Sequence, residues 1–268
     1  TVFEKNNFLR NGPTLVQFAA FYGSVLCVIE LVKRGADVTI PDLSNKQSAM
    51  YAIAGGNMKI IEIFEYVKAD FTATPQIAAF FMRDEAFKRL MSTERFKLDN
   101  VDIQYASILH QAAASNNIRT MIQCIDNGVS VNIQNHKKLT PLHFAIHNGQ
   151  LDAVLLLNAH KDINVNAKSD EGVTPLMLAC KNGYKAIVSV LLSNPNINVN
   201  EVDNKGSTAA HFAVLSNYID IIMLLIEHQG IDLSIKDENH RTAADLANLG
   251  GFHECAKIIS EHMKSGCI

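Results

Sequence analysis

A short phrase recurs along this chain at a nearly fixed interval. Thr140-Pro141-Leu142-His143 is restated as Thr174-Pro175-Leu176-Met177, Thr208-Ala209-Ala210-His211 and Thr242-Ala243-Ala244-Asp245, and each step between the threonines is 34 residues. Upstream, Ser107-Ile108-Leu109-His110 lies 33 residues before Thr140, and Thr14-Leu15-Val16-Gln17 lies 33 before Gln47. Self-similarity at this period dictates a solenoid. A unit this short cannot bury its own apolar face and must lean on its neighbours.

Each piece of the phrase has a physical reason. A Thr hydroxyl caps the first helix, and Pro fits its first turn, where no donor is lost. Alanine pairs such as Ala19-Ala20 let helices approach closely, and Gly23, Gly149 and Gly183 end the first helix where a left-handed residue is wanted. Val154 to Leu157, Ile187 to Leu192 and Ile221 to Ile226 then supply the apolar stripe of a second helix. Leu191 and Leu224 are expected in the stacked core.

The pattern resembles the ankyrin repeat family, whose units run through a turn, T-P-L-H-x-A and two antiparallel helices. Gly35-Ala36-Asp37 matches its G-A-D turn, and Asn164-Val165-Asn166 and Asn198-Val199-Asn200 match its step into the next finger. The resemblance implies an all-α solenoid of about eight helix-turn-helix units with β-hairpin-like finger loops. It also implies that His143 bonds back to the turn of its own or a neighbouring repeat. Units anchor near 14, 47, 74, 107, 140, 174, 208 and 242, in a single array over residues 1–264 with a tail at 265–268. The step from 47 to 74 is only 27 residues, so the finger between the second and third units should be shortened. The last helix, with Glu254, Lys257, Glu261 and Lys264, has the polar outer side that a terminal unit needs.

Composition narrows the function. The chain is 48% apolar and 19% charged, which suits a folded domain, and its net charge of −3 comes without a basic block. A nucleic-acid or membrane-surface partner is therefore not expected. The apolar runs are too short to span a bilayer, and no signal peptide opens the chain. Beginning at Thr1, it reads as a fragment of a longer protein. Five scattered cysteines (Cys27, Cys124, Cys180, Cys255 and Cys267) without a C-x-x-C pair suit reduced thiols in the cytoplasm, or in a host cytosol for a secreted effector.

No catalytic set is visible. His143 and His147 are four apart on one helix, but nothing at a useful offset completes a metal site. His253 and Cys255, two apart, point away from each other on a helix. No phosphate-binding, dinucleotide-binding or nucleophile-elbow motif occurs. The chain is read as a non-enzyme without metal or cofactor.

The resemblance places partner contacts on the concave face, at finger tips and at two positions near the end of each first helix. In the N-terminal half those positions hold Phe21, Tyr22, Phe81 and Met82, side chains that either contact a partner or pack on one another. In the C-terminal half they hold His147 and Lys181, with His136, Lys137, Glu171, Lys205 and Arg241 on the fingers. The function implied is a monomeric, non-catalytic module that binds another protein or peptide. The alternative is the substrate-recognition or targeting arm of a larger enzyme or secreted bacterial effector.

Overall fold

The computed structural model describes residues 12–71 and 108–265 and, between them, residues 77, 78, 81, 83, 85, 86 and 89. The anchors expected at 74 and 107, Met82, and residues 72–76 of the shortened finger lie outside them. The chain forms two compact units, Thr1–Asn127 and Gly128–Ile268. The N-terminal unit contains α1 (Leu15–Phe21), α2 (Val25–Lys33), α3 (Ser48–Gly55), α4 (Met58–Tyr66), α5 (Ile108–Ala114) and α6 (Ile118–Asp126). The C-terminal unit contains α7 (Pro141–His147), α8 (Leu151–Asn158), α9 (Pro175–Asn182), α10 (Lys185–Leu192), α11 (Ala209–Leu215), α12 (Ile219–Glu227), α13 (Ala243–Leu249) and α14 (His253–Ser265). Among the described residues there is no strand, and the helices come in antiparallel pairs.

In the C-terminal unit the odd-numbered helices form an inner layer and the even-numbered ones an outer layer. Each inner helix starts on its threonine. Thr174 Oγ1 accepts the Met177 N–H at 3.3 Å, and Thr242 Oγ1 accepts that of Asp245 at 3.2 Å while the Asp245 carboxylate takes the Thr242 N–H at 2.8 Å. Such reciprocal caps contribute about 1 kcal/mol each. The inner helices stop at left-handed residues. Gly183 has φ 76°, and a Cβ there would stand 2.6 Å from the Tyr218 ring, so conformation and space both demand glycine.

The outer helices bury a repeating triplet: Ala153, Val154 and Leu157, then Ile187, Val188 and Leu191, then Ile221, Ile222 and Leu225. Leu191 is fully buried, as expected. The expectation for Leu224 is wrong by one residue: Leu225 holds the position equivalent to Leu191, and Leu224 is only half-buried.

Polar ties between successive repeats position the fingers. Each described finger is a five-residue turn whose first N–H donates to the last carbonyl, from Asp42 to Lys46 (3.0 Å), Asn135 to Leu139 (3.0 Å), Ser169 to Val173 (3.0 Å), Asp203 to Ser207 (3.0 Å) and Asp237 to Arg241 (2.9 Å), with a second bond inside the turn from the fourth residue's N–H to the first carbonyl. They resemble hairpins only in outline, because no ladder extends beyond the turn. Neighbouring tips are joined: the N–H groups of Asp170, Asn204 and Glu238 donate to the carbonyls of Lys137, Glu171 and Lys205 at 2.9, 3.1 and 2.7 Å. At the finger bases, Asn132, Asn166 and Asn200 each staple two repeats. Their side-chain N–H groups donate to Asp162, Asn196 and Gly230 carbonyls, all at 2.7 Å, and their oxygens accept the N–H of Asn164, Asn198 and Asp232.

The buried inner-helix histidines complete these ties. His143 Nδ1 accepts the Thr140 N–H at 3.2 Å, and Nε2–H donates to the Val173 carbonyl in the next finger at 3.1 Å. His211 repeats this with Thr208 and the Arg241 carbonyl. The family expectation for His143 therefore holds on both sides. In the N-terminal unit Gln17 does the same work: its oxygen accepts the Thr14 N–H at 2.7 Å, and its amide donates to the Ile40 carbonyl at 2.8 Å and to that of Lys46. Met177 cannot donate, and there Lys168 bonds the Val202 carbonyl at 2.9 Å instead.

The N-terminal unit packs more tightly at one point. A Cβ on Gly55 would lie 2.6 Å from the carbonyls of Ala20 and Phe21, so α1 and α3 touch through their backbones. Arg83 donates to the Ala54 carbonyl at 3.1 Å, and Arg89 bridges Glu62 and Glu65 at 3.3 and 2.7 Å. These two arginines tie the described residues after α4 to α3 and α4.

Two stability outcomes follow from this packing. Leu191→Ala should cost about 2–5 kcal/mol, whereas Leu224→Ala should cost distinctly less. Equal losses in urea unfolding would mean that the outer-helix phase is misassigned. Burial, opposed in part by the Val173 bond, drives the His143 imidazole down to about 4. The unfolded chain, with an ordinary value near 6.5, takes up a proton first as pH falls, so this tie is fully present above about pH 6.5 and lost towards about pH 4, by up to roughly 3 kcal/mol. His143→Gln, which offers the acceptor and donor that Gln17 offers, should lose less stability than wild type between about pH 7 and about pH 5. An identical acid loss in both proteins would contradict the assignment.

Candidate functional site

In the C-terminal unit the seventh residue after each threonine is free of structural duty. His147, Lys181, Leu215 and Leu249 occupy that position on α7, α9, α11 and α13, and all four are exposed. They project one turn beyond His143, Met177, His211 and Asp245, and so line one side of the inner layer. Among the described residues neither His147 nor Lys181 has a hydrogen-bonding or ionic side-chain partner. Other lysines differ: Lys185 at the start of α10 pairs with Asp220 at 3.1 Å, and Lys168, next to the Ser169 finger, with Glu201 at 2.7 Å.

The finger tips present His136, Lys137, Glu171 and Lys205 to solvent. Arg241 departs from the expectation of an available tip. Its guanidinium grips Asp237 Oδ2 at 2.9 and 2.7 Å within its own finger. That pairing, helped by backbone N–H donors, holds the Asp237 carboxyl down at about 2. Arg241 thus replaces the plain turn seen at Asn135 with an ion-paired one.

The N-terminal candidates divide. Phe21 is only 7% exposed and meets the rings of Tyr22, Tyr51 and Phe81 edge-on at 5.4, 6.4 and 6.5 Å. Internal packing therefore accounts for Phe21, and the half-buried Phe81 leans on it. Tyr22 is 63% exposed and lies 4.8 Å from the Phe18 ring. Beneath them the Tyr51 hydroxyl donates to the buried Asp42 at 2.7 Å. Burial, then the Asp42 bond, push the Tyr51 phenol above its ordinary range.

Sequence reasoning missed exposed leucines in the N-terminal unit. Leu26 is 81% exposed, and Leu15 and Leu43 are also exposed. A signal existed: aligned from the anchors, Leu26 stands where five later units carry a charge, Lys59, Arg119, Asp152, Asp220 and Glu254, and the other two carry Ala86 and Ala186.

Chemistry is constrained by the same geometry. Both His143 nitrogens are committed, so it cannot pair with His147 on a metal, and the described residues contain no cluster of three or more His, Cys, Asp or Glu suited to one. Cys255 is buried with Sγ 3.1 Å from Asn217 Oδ1, while His253 is exposed. Burial pushes the Cys124 thiol up to about 12 and raises those of Cys180 and Cys255. These are packing thiols rather than nucleophiles.

Comparison with known proteins agrees with this architecture. The family model for ankyrin repeats (3 copies) matches four overlapping stretches, residues 76–169, 109–203, 155–237 and 195–267. Rabankyrin-5 of Mus musculus is 31% identical over 153 residues, 52% of this chain and 13% of that protein. Neurogenic locus notch homolog protein 1 of Homo sapiens is 27% identical over 143 residues, 51% of this chain and 6% of that protein. Potassium channel AKT2/3 of Arabidopsis thaliana is 25% identical over 146 residues, 54% of this chain and 15% of that protein. The matched segments are thus small parts of much longer relatives. No helix among the described residues is long and apolar enough to cross a membrane.

Proposed function

Since the chain belongs to the ankyrin repeat family, whose repeats generally serve as protein–protein interaction modules, we propose that it is a non-catalytic module binding a protein partner across its inner helices and finger tips. The observation that carries this reading is the row His147, Lys181, Leu215 and Leu249. These side chains are exposed in register on successive inner helices, while the surrounding polar groups are spent on holding repeats together. Tyr22, with Phe18 and Leu26, offers a second, apolar contact in the N-terminal unit. Buried thiols at Cys124, Cys180 and Cys255 support a reducing, cytoplasmic setting. The module is taken to act as a monomer, with a protein or peptide rather than a nucleic acid as partner.

A second reading is favoured by the relatives' lengths. Repeats like these sit within a notch homolog and a potassium channel many times longer than the matched segment, which suits a recognition arm of a larger protein.

The test is affinity capture from eukaryotic lysate with three forms of the protein, each shown by circular dichroism to be folded. A partner held by wild type should be lost by Lys181→Ala/Leu215→Ala/Leu249→Ala and retained by the outer-face variant Lys185→Ala/Met223→Ala. Retention by the inner-face variant with loss by the outer-face one would overturn the reading.

A further inference from the structure

The inner face of the C-terminal unit is not uniform along its length, and this bears on the chemistry of the partner. Its first repeat is basic, with Lys137 and Lys138 on the finger and His147 on α7. The second adds Lys181, which has no ionic partner among the described residues. The third and fourth replace these side chains with Leu215, 56% exposed, and Leu249, 72% exposed. Single exposed leucines are ordinary on protein surfaces. These two differ because they hold the same position on packed neighbouring helices, beside the half-buried Phe212. The face therefore passes from cationic to apolar along one line.

We propose that this face takes an extended peptide segment whose acidic end lies over His147 and Lys181 and whose apolar end lies over Leu215 and Leu249. The proposal rests on the module reading above and names the partner chemistry at the same face. Acids also occur on the fingers, at Asp170, Glu171 and Glu238, but none is bonded to Lys181 or His147. A carboxylate arriving there meets the Lys181 ammonium, whose charge is not already neutralised, with the exposed His147 imidazole at the same position of the preceding inner helix. Packed helices lie about 8–10 Å apart, and three residues of extended chain advance by about 10 Å. A segment in the extended polyproline-II form, with three residues per turn and about 3.1 Å per residue, turns every third side chain to the protein and thus meets one inner helix per step. Acid, acid, apolar, apolar is the order that satisfies the four sites.

The experiment is fluorescence-polarisation binding of synthetic peptides of about twelve residues, roughly four repeats at three residues each. One carries Glu at every third position in one half and Leu at every third in the other, and is made in both directions. A second has Lys in place of Glu, and a third has Leu throughout. The Glu–Leu peptide should bind wild type in one direction and lose roughly tenfold in affinity on Lys181→Glu, a factor equivalent to 1.4 kcal/mol. The Lys–Leu peptide should gain on that same variant, and Leu215→Asp should weaken both. Equal binding of the Glu–Leu peptide to wild type and Lys181→Glu would overturn the proposal, as would absence of binding by every peptide. In either case, intact inner-face-dependent capture would leave the module reading standing.

Discussion

The bond that most of this structure depends on runs from the third residue of an inner helix to a carbonyl in the following finger. His143 makes it to Val173, His211 to Arg241 and Gln17 to Lys46. Net, such a bond contributes only about 1 kcal/mol, less than burial of one leucine. Its effect is geometric. Apolar stacking of triplets such as Ile187, Val188 and Leu191 holds helices together but tolerates sliding, whereas a directed N–H to carbonyl bond sets where the next finger sits. The asparagine staples at Asn132, Asn166 and Asn200 do the same at the base of the finger, and the tip-to-tip amide bonds do so at its end.

This division of labour explains why the inner face is available for recognition. Many polar groups near the repeat junctions have a structural partner: the caps at Thr174 and Thr242, the staples, and the Asp237–Arg241 pair. What remains uncommitted is one position per inner helix and the outward side chains of the tips. Changes there cost little stability, so charge and apolarity along His147, Lys181, Leu215 and Leu249 can suit a partner without disturbing the stack. The face is also presented by rigid neighbours, which lowers the ordering cost of binding.

Much of this was legible in the residues. The threonine anchors locate the inner helices, and small or apolar spacing locates Leu191 and Cys180 in the core. The failures have physical causes. Ile221 to Ile226 is an unbroken apolar run, so its pattern carries no phase, and Leu225 rather than Leu224 turned inward. For Phe21 the sequence leaves partner contact and internal packing both open. Tyr51 and Phe81 meet it, and neither contact is local in sequence. Arg241 was read as a free tip although Asp237, four residues earlier, could have signalled its partner. Leu26 was overlooked because attention stayed on the first helices, while the anomaly lay in the second.

The central claim is that polar ties fix the fingers as a joined row rather than as independent loops. Amide hydrogen exchange at Asp170, Asn204 and Glu238 tests it most directly, since their side chains are exposed and their N–H groups are covered only by the preceding tip. Exchange slowed by at least about tenfold relative to an unstructured peptide is the predicted result. Exchange of all three at the unstructured rate would contradict it.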